Sequence, residues 1–168
     1  GRVAMTVRTR PLSGLNIVAT RALAQSSGFA RLLRSLGARV LVCPTIRIVP
    51  PSSLKPLDRA VKNLDAYDWI IFTSVNAVKC FYRRLRENGK DVRSLGYSRI
   101  CAVGPKTAEA LEEIGIGADY VPSQSRVTAI AAEMENLTGQ RILLPRAKIA
   151  PDDLPNGLRE KGATVDVI

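Results

Sequence analysis

Four apolar runs of the sequence end in short polar groups of types that bind anions. These groups are Thr20-Arg21, Thr73-Ser74, Gly104-Pro105-Lys106-Thr107 and Pro145-Arg146. If the runs are parallel β-strands, their carboxyl ends lie at one edge of the sheet, where open α/β folds bind ligands. Hydroxyls, cationic side chains and the free N–H groups at helix starts all bind carboxylate or phosphate. The sequence therefore predicts an anion-binding edge.

The clearest of these junctions lies within residues 68–78. Its apolar part, residues 69–72, is rich in β-branched and aromatic residues, which is typical of a strand buried on both faces. Asn76 is a favourable helix N-cap, so Thr73, Ser74 and the first N–H groups of the next helix are expected to share one pocket. Capping alone is the alternative explanation for Ser74 and Asn76.

A second junction contains a glycine turn. Gly104 lets a ligand approach the backbone closely, and Pro105 occupies a position where proline starts helices well. With Lys106 and Thr107 the turn resembles an anion cradle. It lacks the longer glycine loop of a Walker motif, and the Gly-Ile-Gly sequence at 115–117 follows a predicted helix rather than a strand. Nucleotide binding is therefore disfavoured.

The candidate groups contain no pair of carboxylates, and the sequence has no histidine. Ser-His and Cys-His nucleophiles and His-ligated metal sites are therefore excluded. No catalytic residue, metal or cofactor follows from the residues themselves. Cys43, Cys80 and Cys101 are scattered and form no C-x-x-C pair. We interpret them as reduced core thiols of a cytoplasmic protein.

The positive charge is concentrated at the start of the chain. The net charge is +10, and residues 1–57 hold nine basic residues and no acidic one. This asymmetry suggests a polyanionic partner, such as a nucleic acid, an acidic membrane or a substrate rich in carboxylates. A solvated basic surface with no binding role is an equal alternative. A basic nucleic-acid-binding domain stays an alternative, although no nucleic-acid module signature is present. No apolar run approaches the roughly 20 residues of a membrane span.

The periodicity predicts an α/β protein with a parallel, flavodoxin- or Rossmann-like sheet and helices on both faces, preceded by an N-terminal βαβ unit. In that unit, Phe29, Leu32, Leu33 and Leu36 form the apolar helix face, which ends at Gly37. Prolines on both sides of residues 45–49 suit an edge or interdomain ribbon, and mark a domain boundary. Later predictions are a short strand at 118–121, a helix at 126–137 and a helix near 152–162 that Pro155 starts or breaks.

Taken together, these motifs resemble the uroporphyrinogen-III synthase family over nearly all of residues 15–168. The matching segments are I-V-A-T-R (17–21), L-L-R-S-L-G-A-R-V (32–40), P-T-I-R-I-V-P-P (44–51), L-D-A-Y-D-W-I-I-F-T-S-V-N-A-V (64–78), I-C-A-V-G-P-K-T-A-E-A-L (100–111), V-P-S-Q-S (121–125), L-L-P-R-A (143–147) and L-P-N-G-L-R-E-K-G-A-T-V (154–165). The lead-in R-P-L-S-G-L (10–15) resembles the junction to a fused uroporphyrinogen-III methyltransferase.

The resemblance implies a linker at 1–14, the N-terminal part of a discontinuous domain at 15–44, and an inserted α/β domain at 45–168. It implies that the chain is truncated at the C-terminus, before the family's crossover segment and its catalytic tyrosine, so we expect no synthase activity from it. The implied substrate is hydroxymethylbilane, which cyclises with loss of water and inversion of ring D, without a cofactor.

The resemblance also implies which residues contact the substrate. Motif residues that line the family's cleft are Thr73, Ser74, Asn76, Gly104, Lys106 and Thr107. Thr20, Arg21 and Arg146 are added from their position at strand ends. A non-catalytic module that binds a small anionic ligand stays open as an alternative function.

Overall fold

The computed structural model describes residues 10–20, 23–123, 130 and 132–168, and the chain forms two compact units, Gly1–Pro50 and Pro51–Ile168. The first unit contains β1 (Asn16–Ala19), α1 (Leu23–Ser35) and β2 (Arg39–Val42). The two strands are parallel, and Asn16 is paired with Arg39. This is the predicted βαβ order.

Helix α1 ends where the sequence predicted, at a left-handed glycine. Gly37 has φ 102°, and a Cβ built on it would lie 2.9 Å from the Cβ of Arg10. The apolar face predicted for α1 is only partly covered. Phe29 and Leu32 are 40% and 57% exposed, whereas Ala30 is buried. A two-stranded sheet is too narrow to cover the broad apolar stripe that the spacing predicts.

The second unit alternates helices and strands. Its elements are α2 (Lys55–Lys62), β3 (Trp69–Phe72), α3 (Val75–Glu87), β4 (Arg99–Ala102), α4 (Pro105–Glu112), β5 (Arg141–Leu144), α5 (Asp153–Glu160) and β6 (Thr164–Val167), with short 3-10 helices at Leu64–Ala66 and Val92–Leu95. The sheet is parallel with strand order β4-β3-β5-β6. The parallel α/β fold class is thus confirmed.

Some predicted elements differ from the structure. The strand predicted at 118–121 is reduced to one parallel bridge between Tyr120 and Cys101. Residues 45–49 form no strand. Of the helix predicted at 126–137, residues 126–129 and 131 lie outside the described residues, 130, 132 and 133 are helical, and 134–137 are not helical. Helix α5 contains Pro155 in its first turn, so this proline starts the helix rather than breaking it.

Strand β3 carries the core on both of its faces. Ile70 and Phe72 pack with α2, α3 and α4, and Phe72 meets Phe81 edge to face with ring centroids 5.2 Å apart. Trp69 and Ile71 belong to the cluster on the opposite face, with α5. All four β3 residues are buried, as the continuous apolar run predicted.

The three cysteines are free. Cys101 is buried, and burial raises the pKa of its thiol to about 12. Cys43 is exposed, so its prediction as a core thiol was wrong; it follows β2 rather than lying in a sheet with both faces covered. Among the described residues, no helix has the length and apolar character that crossing a membrane requires.

Candidate functional site

The carboxyl ends of β4, β3 and β5 lie side by side in the second unit. The pairing registers of β3 with β4 and with β5, extended past the last paired residues, place Thr73 level with Val103 beyond β4 and with Arg146 beyond β5. The Val103 N–H donates to the Phe72 carbonyl at 2.9 Å, which holds the first two strand ends together. The candidate residues that this unit brings to one edge are Thr73, Ser74, Asn76, Gly104, Lys106, Thr107 and Arg146.

The two remaining candidates belong to the first unit. Thr20 follows β1 and is exposed. Its carbonyl accepts hydrogen bonds from the Thr45 N–H at 3.2 Å and from the Thr45 hydroxyl at 3.1 Å. Arg21 lies outside the described residues. Both therefore stay predictions from position.

Ser74, and not Asn76, is the N-cap of α3. Ser74 is extended (φ −159°, ψ 155°), and its hydroxyl accepts from the Ala77 N–H at 3.2 Å. Asn76 lies inside the first turn and is exposed. The N-cap prediction was wrong by two residues because serine and asparagine cap equally well, and the apolar pattern does not fix where the first turn begins.

Gly104 forms the corresponding turn before α4. Its backbone (φ 96°, ψ 162°) lies in a region that is essentially restricted to glycine. The Gly104 carbonyl accepts from the N–H groups of Thr107 and Ala108 at 3.1 and 3.2 Å. Pro105 is the first residue of the helix and has no N–H to satisfy. The glycine is therefore required by the backbone geometry that aims this helix start at the sheet edge.

The side chains that follow Gly104 differ in exposure. Thr107 is buried, with 4% of its surface exposed. The Lys106 ammonium is 83% exposed and lies 3.1 Å from the Glu109 carboxylate. An exposed ion pair of this kind is worth at most about 1 kcal/mol, so an incoming anion can take the place of Glu109 at little cost.

Several backbone N–H groups at this edge have no acceptor within the described part of the chain. The first N–H groups of any helix lack an intrahelical partner. In α3 the Ser74 hydroxyl accepts a hydrogen bond from the Ala77 N–H, and the N–H groups of Val75 and Asn76 have no acceptor among the described residues. In α4 the N–H groups of Thr107 and Ala108 donate to the Gly104 carbonyl, and the Lys106 N–H has no acceptor in the part of the chain that the structure describes. Two helix N-termini thus offer free donors on neighbouring strands, where their dipoles favour negative charge.

Arg146 has a different environment from the one its sequence position suggested. Only 9% of its side chain is exposed. Its guanidinium donates to the Pro151 carbonyl and to the Asp152 carboxylate, on the loop that leads to α5. Its Nε is buried and has no hydrogen-bond partner in the described part of the chain.

The loop at 120–123 also reaches this edge, because Tyr120 continues in parallel beside β4. The Glu133 carboxylate accepts from the Tyr120 hydroxyl at 2.6 Å, the Ser123 hydroxyl at 2.6 Å and the Ser123 N–H at 3.1 Å. The Ser123 bonds are the main cause that lowers the pKa of Glu133, and the Glu133 bond is the main cause that raises the pKa of Tyr120 to about 12. The V-P-S-Q-S segment is recognisable in the sequence, but no sequence signal points to Glu133, ten residues after Ser123.

A cleft of about 720 Å³ lies elsewhere in the second unit and includes none of the candidate residues. Its lining includes Tyr67, whose hydroxyl donates to the Asp166 carboxylate at 2.8 Å, and Arg141, which also binds Asp166 at 2.8 Å. Burial and the Asp166 bond raise the pKa of Tyr67 to about 12. Each polar group named here is paired within the protein. We therefore place the candidate site at the strand ends, where donors are free.

The groups at this edge are of types that can bind an anion. The candidate donors are backbone N–H groups, the partly exposed Ser74 hydroxyl and the Lys106 ammonium, whereas the Thr107 side chain is buried. The structure adds carboxylates at the edge, Glu109, Asp152 and Glu133, and each is hydrogen-bonded to a neighbouring donor. Within the described residues, no group of three or more cysteines and carboxylates could hold a metal ion.

Comparison with known proteins agrees with this architecture. The chain is 38% identical over 158 residues to a uroporphyrinogen-III synthase of Synechococcus elongatus, an alignment that covers 93% of this chain and 60% of the relative. It is 34% identical over 159 residues to the porphyrin biosynthesis protein HemD of Ruminiclostridium josui, covering 94% of this chain and 32% of that protein. The chain thus spans 60% or less of the length of these relatives.

A crystal structure of a mutant uroporphyrinogen III synthase from the extremely thermophilic bacterium Thermus thermophilus has the same fold. It superposes with a TM-score of 0.70 at 22% sequence identity, over 92% of this chain and 60% of that one. The family model for uroporphyrinogen-III synthase HemD matches residues 27–168. By this match and by the identity to its curated relatives, the chain belongs to the uroporphyrinogen-III synthase family.

Proposed function

We propose that the protein is a uroporphyrinogen-III synthase of tetrapyrrole biosynthesis, the route to haem, sirohaem and cobalamin. Its substrate would be hydroxymethylbilane, a linear tetrapyrrole with an acetate and a propionate on each ring. The enzyme would remove water and close the ring with ring D inverted, as a cyclising hydro-lyase without a cofactor. The observation that carries this proposal is the pair of helix N-termini with free N–H groups on neighbouring strands, in a chain that belongs to this family.

The geometry suits the physical task of this reaction. A flexible polyanion must be folded into one conformation before the ring closes, and holding reacting groups in place can supply about 7–11 kcal/mol of a barrier. The free N–H groups of Val75, Asn76 and Lys106 would hold substrate carboxylates at fixed positions. Ser74 and Gly104 would hold the two helix starts. Thr73, Thr107, Thr20, Arg21 and Arg146 would complete the binding surface.

We also propose the organisation of the whole protein. Residues 1–14 would be a linker that a fused uroporphyrinogen-III methyltransferase would precede. Residues 15–44 would belong to a discontinuous first domain, and 45–168 to a second domain inserted in it. The free cysteines would suit the reducing conditions of the cytoplasm. No nucleic-acid partner is expected.

Binding of tetrapyrroles to the 168-residue chain tests the site. We expect a porphyrin with eight carboxylates to bind about tenfold or more tightly than one with four, since each exposed ion pair adds about 0.2–1 kcal/mol. Lys106→Gln should weaken binding about two- to fivefold. Lys62→Gln, which removes the same charge from α2, is the matched control and should change the affinity less.

The ring-closure reaction is tested separately, with hydroxymethylbilane. The product with ring D inverted is separated from the isomer with ring D unchanged, and their ratio is compared with the uncatalysed ratio. We expect the complete protein to favour the inverted isomer and the 168-residue chain to leave the ratio unchanged. Equal binding of the two porphyrins, or tighter and strongly salt-dependent binding of an oligonucleotide, would contradict the proposal.

A further inference from the structure

Arg146 is the one residue of the described binding edge whose side chain is buried and leaves a polar atom without a hydrogen-bond partner. Arg146 is level with Thr73 on the neighbouring strand and has 9% of its side chain exposed. Asp152 is 72% exposed. A buried guanidinium therefore has, as its charged partner, a carboxylate that reaches it from solvent.

The hydrogen bonds of the guanidinium leave one place empty. Nη1 donates to the Pro151 carbonyl and Nη2 donates to Asp152 Oδ1. Nε is buried, and no acceptor for it lies in the described part of the chain. Nε and Nη2 lie on the same side of the guanidinium, and their two N–H bonds form the fork that binds a carboxylate through both oxygens. Asp152 uses only one arm of that fork.

Asp152 also leaves another bond unmade. It is the N-cap residue of α5, and aspartate is among the best N-caps, yet its side chain makes no capping hydrogen bond. Because Pro155 at the third helical position has no N–H, the Leu154 N–H is the donor that this carboxylate could cap. Asp152 is thus held by Arg146 instead of by its own helix.

We propose that Asp152 is an internal counter-ion that a carboxylate of the ligand displaces from Arg146. The incoming carboxylate bonds to Nε and Nη2 together, which satisfies the buried donor that Asp152 leaves unpaired. The released Asp152 then caps α5 through the Leu154 N–H. This inference rests on the proposed function, and it names one carboxylate of the tetrapyrrole substrate as the ligand of Arg146.

If a ligand carboxylate displaces Asp152 from Arg146, removing the Asp152 charge should strengthen ligand binding. Asp152→Asn removes the carboxylate that competes with the ligand for Arg146. The eight-carboxylate porphyrin should therefore bind about fivefold more tightly, which corresponds to about 1 kcal/mol of binding free energy. Asp153→Asn is the matched control, since Asp153 is the exposed neighbour and loses the same charge. It should change the dissociation constant less than twofold. Equal effects of the two variants would overturn the proposal, because the loss of one negative charge anywhere near the site would then explain the change in affinity.

A second measurement does not depend on tetrapyrrole binding. The Arg146 Nε–H resonance, assigned by its loss in Arg146→Lys, is followed by NMR while acetate is added. We expect it to shift with acetate, and at lower concentration in Asp152→Asn than in Asp153→Asn. An unchanged resonance in both variants would refute the exchange. If the porphyrin does not bind to the unmodified chain, the proposed function fails, while the acetate titration still decides the role of Asp152.

Discussion

Gly104 is the position at which the site depends most directly on one residue type. Its backbone at φ 96° and ψ 162° is a conformation that residues with a Cβ rarely adopt. Gly104→Ala should therefore lower the free energy of unfolding of the second unit by about 1–3 kcal/mol. With a urea m-value of about 1–3 kcal/mol per M, a change of about 2 kcal/mol moves the midpoint by roughly 1 M.

A fluorescence assay reports on the right unit. Trp69 is the only tryptophan of the sequence, and it lies in β3 with 8% of its surface exposed. Its ring is covered by the Arg99 guanidinium at 4.3 Å, and its indole N–H donates to Gln140 at 2.9 Å. Unfolding exposes this ring to water. Its emission during urea titration therefore measures the stability of the second unit.

Alanine substitutions at two other glycines distinguish strain in the folded backbone from the effect of a Cβ on the unfolded chain. Gly117 has no left-handed φ and no heavy atom within 4 Å of a built Cβ. Gly117→Ala should therefore stabilise the unit by about 0.4–1 kcal/mol, because it restricts the unfolded chain. Gly89 has φ 71° and the same open space, so Gly89→Ala should cost about 1–2 kcal/mol through the left-handed backbone. If Gly104→Ala behaved like Gly117→Ala, the backbone argument for the α4 cradle would be refuted.

Four further substitutions test other parts of the second unit. Ser74→Ala should cost about 1 kcal/mol through loss of the cap, whereas Asn76→Ala should change stability by less than about 0.5 kcal/mol, both measured by Trp69 fluorescence. Tyr67 has a pKa raised from 10.0 to about 12, so its contribution to stability is complete below pH 10 and is lost as the pH rises towards 12. Tyr67→Phe should remove that part of the pH dependence of unfolding, and an unchanged profile would contradict it. Phe81→Ala should cost about 3–5 kcal/mol, because Phe81 is buried against Phe72.

The strands and their turns could be predicted because their signals are local. Continuous apolar runs, and the glycines and prolines between them, locate β3, β4 and α4 without knowledge of distant contacts. The strand ends then meet at one edge as a consequence of the parallel connection. The sequence therefore predicted that the candidate residues after β3, β4 and β5 lie at one edge of the sheet, which is where the structure has them.

Features that depend on distant contacts could not be predicted. The pattern of α1 does not report how wide the sheet beside it is, so it could not show that Phe29 and Leu32 are exposed. Tyr67 and Asp166 are 99 residues apart in sequence, and no local signal joins them. The substrate role of Arg146 stays a prediction from position, and no signal in the sequence indicated the loop whose Pro151 carbonyl and Asp152 carboxylate bind its guanidinium.

The kind of donor at the strand ends explains how a site with few charges could hold a polyanion. The N–H groups of Val75, Asn76 and Lys106 are fixed by the helices that contain them, so binding a carboxylate to them orders no side chain. The Lys106 side chain is 83% exposed and would lose rotamer freedom on binding. A flexible ligand with eight carboxylates already loses conformational entropy when it binds. Several fixed donors therefore give it a more favourable binding free energy than a few mobile charges, which would lose entropy as well. Backbone donors on neighbouring strands meet that requirement with the smallest further loss of entropy.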